Sequence, residues 1–433
     1  MSNAKINLKK SLLYISYYFP PIKSIAVKRN YFLAHGLRRY FEDLQVLSTS
    51  NYKFLDQEIV PLDGLDVKHI STFDYRTILA NFRRKKSTHF AENHKKSWFI
   101  SFLIKINETF PFNLLLGEGG LLYILNGFKA GKKYFADGEK KYIITPYRPF
   151  SNVFIGYLLK NKFRDATWIV NFHDFPIDGI RNNVLFPTFQ KWVWKKMLKH
   201  THQSIAISHG VENHIRAMSS DVSTIMNGVV IRKSTNSESE KFRIAYTGSL
   251  YQNLSKPVSL FKVIQLLIHS DAVLRDDVEI IYAGKDSHLW MSMIKEFGLE
   301  SVFTDLGELT SEAAMAVQES AHINIILTWA SIDQSGVITG KFYEYLGSTN
   351  PILAIINGIM DDEIFHLFDN LKCGLVVATE DKISEKQIAD FLIGQYHAWK
   401  NQTPMASYAT RLDSLKWEHQ VKKLADIILT DGK

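Results

Sequence analysis

Apolar positions along this chain alternate between two periods. Leu12-Leu13-Tyr14-Ile15 is a continuous apolar run, as expected of a strand buried on both faces. After Pro20 and Pro21, the residues Val27, Tyr31, Ala34 and Leu37 recur at three- and four-residue steps, which predicts a helix over residues 25–40. Residues 43–47 then read as a second strand. Strand, helix and strand in that order predict a parallel sheet with helices on its faces. The pattern continues with strand-like runs at 142–145, 167–172, 203–207 and 223–226, and helical stretches at 153–160 and 187–198 between them.

Residues 232–241, rich in Ser, Glu and Lys, interrupt this series and read as an interdomain linker. A second series follows, with strands expected at 242–246, 278–282, 301–305, 323–327, 351–355 and 375–378. Residues 412–429 are amphipathic through Leu415, Val421, Leu424 and Ile428, with Trp417 adding bulk. Two doubly wound halves are therefore expected: residues 1–232, and residues 241–411.

Length and composition agree with this division. A chain of 433 residues exceeds one ordinary core, and 46 % hydrophobic with 22 % charged residues is ordinary globular composition. Cys373 is the single cysteine, so no internal disulfide forms, and a reducing, cytoplasmic setting is expected. Residues 1–10 are polar and basic, and the apolar run after them reaches Pro20 within one strand length, so no secretory signal is expected. Apolar runs such as 98–104 fall far short of the ~20 residues that span a bilayer.

The formal net charge of +8 changes the picture, because it suggests an anionic partner: a nucleotide, a phospholipid surface or nucleic acid. Arg83-Arg84-Lys85-Lys86 and Lys95-Lys96 stand beside Trp98-Phe99 and further apolar residues. The stretch Arg83 to Lys105 therefore reads as a possible anionic-membrane contact. It lacks a recognisable nucleic-acid reader, so no nucleic acid is expected.

In doubly wound folds, ligands sit beyond the carboxyl ends of the strands, where helix N-termini offer free amides to anions. No GxGxxG follows the first strand and no Walker-type GxxxxGK[ST] occurs, which removes nicotinamide dehydrogenases and P-loop kinases. Gly340 and Lys341 precede an apolar-periodic helix, so amides and an ammonium face whatever anion binds there. Glu344, one turn on, can accept hydrogen bonds from a ribose diol. His173 and Asp174 end a strand and can orient or polarise a reacting hydroxyl. The remaining histidines lack metal-ligand spacing with carboxylates, and no metal is expected.

Several motifs, in order along the chain, resemble the retaining, nucleotide-sugar-dependent glycosyltransferases of family 4. Ile15-Ser16-Tyr17-Tyr18-Phe19-Pro20-Pro21 with Lys28-Arg29 is similar to the family's opening. Thr167 to Asp174 resembles its strand ending in a His-Asp pair. Ile205-Ala206-Ile207-Ser208 and Ile225-Met226-Asn227-Gly228-Val229 resemble the stretch before its linker. Ile244-Ala245-Tyr246-Thr247-Gly248-Ser249-Leu250 resembles the opening of its second domain, and Ser335 to Gly347, followed by Pro351-Ile352-Leu353-Ala354, its donor-site segment.

The resemblance implies the α/β GT-B fold: two Rossmann-like domains facing a central cleft, with a C-terminal helix (412–433) crossing back to the first, acceptor-binding domain. It implies sugar transfer without metal or cofactor, from a nucleoside-diphosphate sugar to a glycan or lipid-linked acceptor, such as a surface polysaccharide or glycolipid. His173 and Asp174 would be catalytic. Gly248, Ser249, Gly340 and Lys341 would hold the donor's diphosphate and sugar, Glu344 its ribose, and Gly307, Glu308 and Leu309 its nucleobase; Lys256, outside the family's pattern, could supply charge to the diphosphate.

The chain also departs from the family. Gly336 stands where a second glutamate is usual, Ser249 where an arginine is usual, and Lys23-Ser24-Ile25-Ala26 where a glycine pair is usual. Two alternatives follow: a catalytically weakened sugar-nucleotide-binding scaffold subunit, or a GT-B-type sugar-nucleotide epimerase, for which Gly336 removes one candidate carboxylate.

Overall fold

The computed structural model describes residues 9–52, 55–58, 60–72, 102, 105–115, 117–136, 139–179, 182–250, 256–332, 335–403 and 407–430. Most of the basic and aromatic stretch from Arg83 to Lys105, read above as a membrane contact, lies outside them. The chain divides into two compact units, Met1–Met226 with Trp417–Lys433, and Asn227–Lys416.

Unit 1 is built on seven parallel strands in the order β3-β2-β1-β4-β5-β6-β7. They are β1 (Lys10–Ile15), β2 (Asp43–Thr49), β3 (Asp66–Ile70), β4 (Lys140–Tyr147), β5 (Thr167–Phe172), β6 (Gln203–Ala206) and β7 (Val222–Thr224). Helices α1 (Ile25–Leu37), α2 (Gly120–Tyr134), α3 (Phe150–Lys162), α4 (Pro187–Leu198) and α5 (His209–Arg216) accompany them. Leu12 to Ile15 are fully buried, because β1 lies between β2 and β4 with layers on both faces. Ser24 starts α1 by accepting the Val27 amide at 3.2 Å, so the residue that replaces a glycine has become a helix cap.

Unit 2 repeats the plan with six parallel strands in the order β10-β9-β8-β11-β12-β13. These are β8 (Phe242–Thr247), β9 (Val278–Ala283), β10 (Phe303–Asp305), β11 (Ile323–Ala330), β12 (Ile352–Gly358) and β13 (Gly374–Ala378). Its helices are α6 (Val258–His269), α7 (Ser287–Glu296), α8 (Ser311–Ser320), α9 (Gly340–Ser348), α10 (Asp362–Leu371) and α11 (Ser384–Lys400).

The last helix, α12 (Trp417–Leu429), returns to unit 1 and packs on α1. Trp417 stacks on Phe32 with ring centroids 4.8 Å apart, and Lys423 donates to the Thr224 carbonyl at 3.2 Å. Val421, Leu424 and Ile428 are buried there, each stabilising the contact by about 1.5–3 kcal/mol. Gly36 permits this approach: a Cβ on it would lie 2.6 Å from a Val421 methyl.

The unit boundaries differ from those read in the sequence. Residues 232–241 belong to unit 2 and are held in it through polar bonds in place of apolar burial. Arg232 pairs with Glu319 at 2.8 Å and donates to Gln318 and to the Glu344 carbonyl, while Ser234 and Asn236 donate to Asn350. The returning segment begins at Trp417, because Leu412 and Leu415 belong to a 3-10 helix (Ala409–Leu415) within unit 2. No helix among the described residues is long and apolar enough to cross a membrane.

Candidate functional site

In unit 2 the strand order reverses between β8 and β11, the point at which doubly wound sheets open a crevice beyond their carboxyl ends. Gly248 follows β8 there with φ +108°, a conformation that favours glycine, and its amide donates to the Ala283 carbonyl at 2.6 Å. A Cβ on Gly248 would lie 2.6 Å from Cε and 3.0 Å from Nζ of Lys341. The glycine is therefore needed for the lysine to approach the loop.

Lys341 comes from the first turn of α9. Its Nζ donates to the Ser249 carbonyl at 2.9 Å and to the Tyr246 hydroxyl, and lies 4.1 Å from the centre of the Tyr246 ring. Burial pulls this ammonium down to about 7, against the opposing pull of Glu344 and Asp286. Near neutral pH it is thus poised between charged and neutral forms, and an anion beside it would restore the charge.

Residues that the sequence reading did not single out hold the loop in place. The Tyr246 hydroxyl donates to the Ser249 carbonyl at 2.8 Å, and Tyr282 donates to the Gly248 carbonyl at 3.2 Å. Asp286 accepts the Leu250 amide at 2.8 Å. The two tyrosine rings are stacked at 5.9 Å. Only the aromatic ends of two adjacent strands, β8 and β9, hinted at this support.

Gly340 opens α9, and Glu344 lies one turn on, half-buried, with its backbone carbonyl bonded by Arg232. The Thr339 hydroxyl just before the helix is buried without a partner. Gly336 has φ +73°, and its amide is bonded by the fully buried Asp361, which also caps α10 through the Glu363 and Ile364 amides. A glutamate at 336 would strain this turn, so its absence is built into the backbone.

The remaining sequence candidates of unit 2 are Lys256, Gly307, Glu308 and Leu309. Lys256 is exposed ahead of α6. Gly307, with φ +63°, donates to Asp305 at 2.9 Å beyond edge strand β10, and β9 lies between that strand and β8. Glu308 is exposed and Leu309 half-buried in the same turn.

In unit 1, His173 and Asp174 follow β5. The His173 Nε2 is buried without a hydrogen-bond partner, and burial, helped by Arg29, holds the ring well below its usual range. It is therefore neutral near pH 7, with one ring nitrogen able to accept a hydrogen bond. Asp174 lies 3.8 Å from the Arg148 guanidinium, which pairs with Glu108 at 2.8 Å; Asn183 donates to the same Glu108 oxygen at 2.7 Å. Burial pushes the Glu108 carboxyl up. A cavity of about 180 Å³ beside this group is lined by Glu108, Glu118, Tyr147, Arg148 and Ser151. Glu108 and Arg148 gave no signal in the sequence, because they are 40 residues apart.

Arg29 is tied into the core of unit 1. It is 1 % exposed and donates to the Ile225 and Met226 carbonyls and to Asn171. No group of three or more metal-ligating side chains occurs among the described residues.

Two doubly wound units with parallel sheets of seven and six strands, and a last helix returned to the first unit, define the GT-B fold. No family model and no curated protein matches the chain by sequence. Solved structures of glycosyltransferases do match it as folds. Sucrose-phosphate synthase from Thermosynechococcus elongatus is similar with a TM-score of 0.58 at 12 % identity, over 97 % of this chain and 98 % of that one. The lipopolysaccharide outer core galactosyltransferase WaaB, in its apo form, is similar at 0.56 and 9 %, over 97 % and 99 %. The pneumococcal O-GlcNAc transferase GtfA, solved with UDP and GlcNAc, is similar at 0.56 and 10 %, over 98 % and 100 %.

Proposed function

We propose that the protein transfers a glycosyl group from a nucleoside-diphosphate sugar, without metal or cofactor, and that unit 2 holds the donor. One observation carries this reading: the Lys341 ammonium, partly neutralised by burial, sits against the Gly248–Ser249 loop at the β8/β11 switch point. A diphosphate there would meet the ammonium and the amides at the head of α9, and charge developing on the leaving group would be stabilised electrostatically. Glu344 would accept hydrogen bonds from the ribose hydroxyls.

In unit 1, neutral His173 would orient the acceptor hydroxyl, with Asp174 fixed by Arg148. The acceptor would be a glycan or a lipid-linked sugar of a surface polysaccharide or glycolipid, and transfer would proceed with retention. Glycosyltransferase neighbours, including one solved with UDP and GlcNAc, support the class of chemistry.

Calorimetric titration with UDP and GDP, followed by a donor-hydrolysis assay, tests the reading. Binding with turnover that is lost in both Lys341→Ala and Glu344→Ala supports it; unchanged turnover in both variants rejects it. Gly336 favours one second reading. Its amide is taken by Asp361 and position 336 itself carries no side chain, so a subunit that binds sugar nucleotide without transferring would show binding and no turnover.

A further inference from the structure

Helix α4 carries opposite chemistries on its two sides. The inner side buries Val193, Trp194, Met197 and Leu198, with the Trp194 ring 5.2 Å from both Tyr147 and Phe150. The outer side leaves Phe189 43 % and Trp192 54 % exposed, and Phe186, just ahead of the helix, 68 % exposed. Phe189 and Trp192 stack on each other at 5.8 Å, with the Phe110 ring 6.4 Å from Phe189 on the protein side. Lys191, Lys195, Lys196 and Lys199 are exposed around them, with the Lys196 ammonium 5.7 Å from the Trp192 ring. No aspartate or glutamate occurs from residue 179 to residue 211.

This face is held rigidly. Gln190 is buried beneath it and binds the Phe110 backbone from both sides, donating to its carbonyl at 3.0 Å and accepting its amide at 2.9 Å. Phe186 has φ +52°, a left-handed conformation that is costly for an aromatic residue and points to a use for its exposed ring. The unit itself is strongly basic. With the boundaries given above, unit 1 holds 36 Lys and Arg against 20 Asp and Glu, a net of +16, while unit 2 holds 16 against 24, a net of −8.

We propose that the outer face of α4 docks on an anionic lipid bilayer. Aromatic rings with a cationic rim of a single sign match the headgroup boundary, where rings enter the interface and lysines meet lipid phosphates. A protein partner would instead be matched by a rim of mixed charge. The proposal is independent of the donor reading, and its test uses no sugar nucleotide.

The full chain is sedimented with vesicles of phosphatidylcholine, with and without phosphatidylglycerol. It is expected to bind only the anionic vesicles and to be released by added salt. Phe189→Ser with Trp192→Ser should weaken binding about tenfold or more. Lys191→Gln, Lys195→Gln and Lys196→Gln together should weaken it on the order of 100-fold, at about 1 kcal/mol per lysine. All five side chains are exposed, and unchanged melting temperatures would verify that both variants fold.

Absence of binding to anionic vesicles, or full binding by the aromatic variant, would overturn the proposal. So would a dimer in sedimentation velocity that the aromatic variant abolishes, or binding to an oligonucleotide tighter than to the vesicles.

Discussion

The two units share one topological plan and diverge in everything presented to a ligand. Both run outward from a central first strand, then cross over and run the other way. Yet unit 1 carries a net +16 and unit 2 a net −8. Among the described residues, Phe102, Phe112, Phe186, Phe189 and Trp192 are the exposed large aromatics of unit 1, whereas unit 2 exposes Phe365 alone. The same core can thus support a basic, aromatic surface and an acidic one, because packing constrains only the buried positions.

A second contrast concerns two buried cations. Arg29 in unit 1 is enclosed by carbonyl acceptors and serves the fold. Lys341 in unit 2 is depressed to about 7 and leans on a glycine loop at a switch point. The first is satisfied by the protein; the second, on the proposed reading, is completed by an anion.

The largest expected effect separates these cations. Lys341→Met should weaken binding of UDP or GDP on the order of 100-fold, through loss of a charge-assisted contact, read by calorimetry. Thermal scans at pH 6 should show its stability unchanged or raised, since a desolvated ammonium is removed. Arg29→Met should do the opposite, costing about 3 kcal/mol of stability by leaving buried carbonyls without donors, read by urea unfolding. If both variants lost stability equally, the contrast would fail.

Titration sharpens the comparison. An anion raises the Lys341 value above the free value of about 7, so binding above pH 7 takes up a proton. Affinity should therefore fall by up to about tenfold per pH unit above 7, and this slope should vanish in Lys341→Met. For stability the sign is reversed. Between pH 7 and 10.5 the unfolded lysine holds a proton that the folded one lacks, so this group's contribution to stability rises with pH across that window. His173 acts likewise at lower pH: its folded value is depressed, so stability falls as pH drops through 6.5, and His173→Asn should flatten that limb in thermal scans.

Smaller effects are expected at backbone and surface positions. Gly336→Ala should cost about 1–3 kcal/mol, from strain at φ +73°, with donor affinity little changed. Lys262→Ala breaks an exposed pair with Glu385 and should shift stability by no more than about 0.5 kcal/mol.

What the sequence determined was the alternation of elements and the stretches that reach the strand ends. Buried parallel strands must be apolar throughout, and helices on their faces must be apolar at a 3.6-residue period, so β1, β5, β8, β11 and α1 were legible from local pattern. The two-domain organisation followed from the break between two such series.

Tertiary structure decided the rest. Strand β3 was missed because an edge strand with mostly exposed residues carries no apolar run. Helix α2 was missed because Gly120, Gly127 and Gly131 argue against a helix. A Cβ on Gly127 would lie 2.6 Å from Ile155, and one on Gly131 2.6 Å from Leu159, so these glycines let α2 pack closely on α3. Residues 232–241 looked like a linker because polar bonds to Glu319 and Asn350, distant in sequence, leave no hydrophobic trace. Likewise, Lys341 was visible as a residue ahead of a helix. That it meets Ser249, 92 positions away, past a glycine with no room for a side chain, depended on the sheet bringing β8 and β11 together.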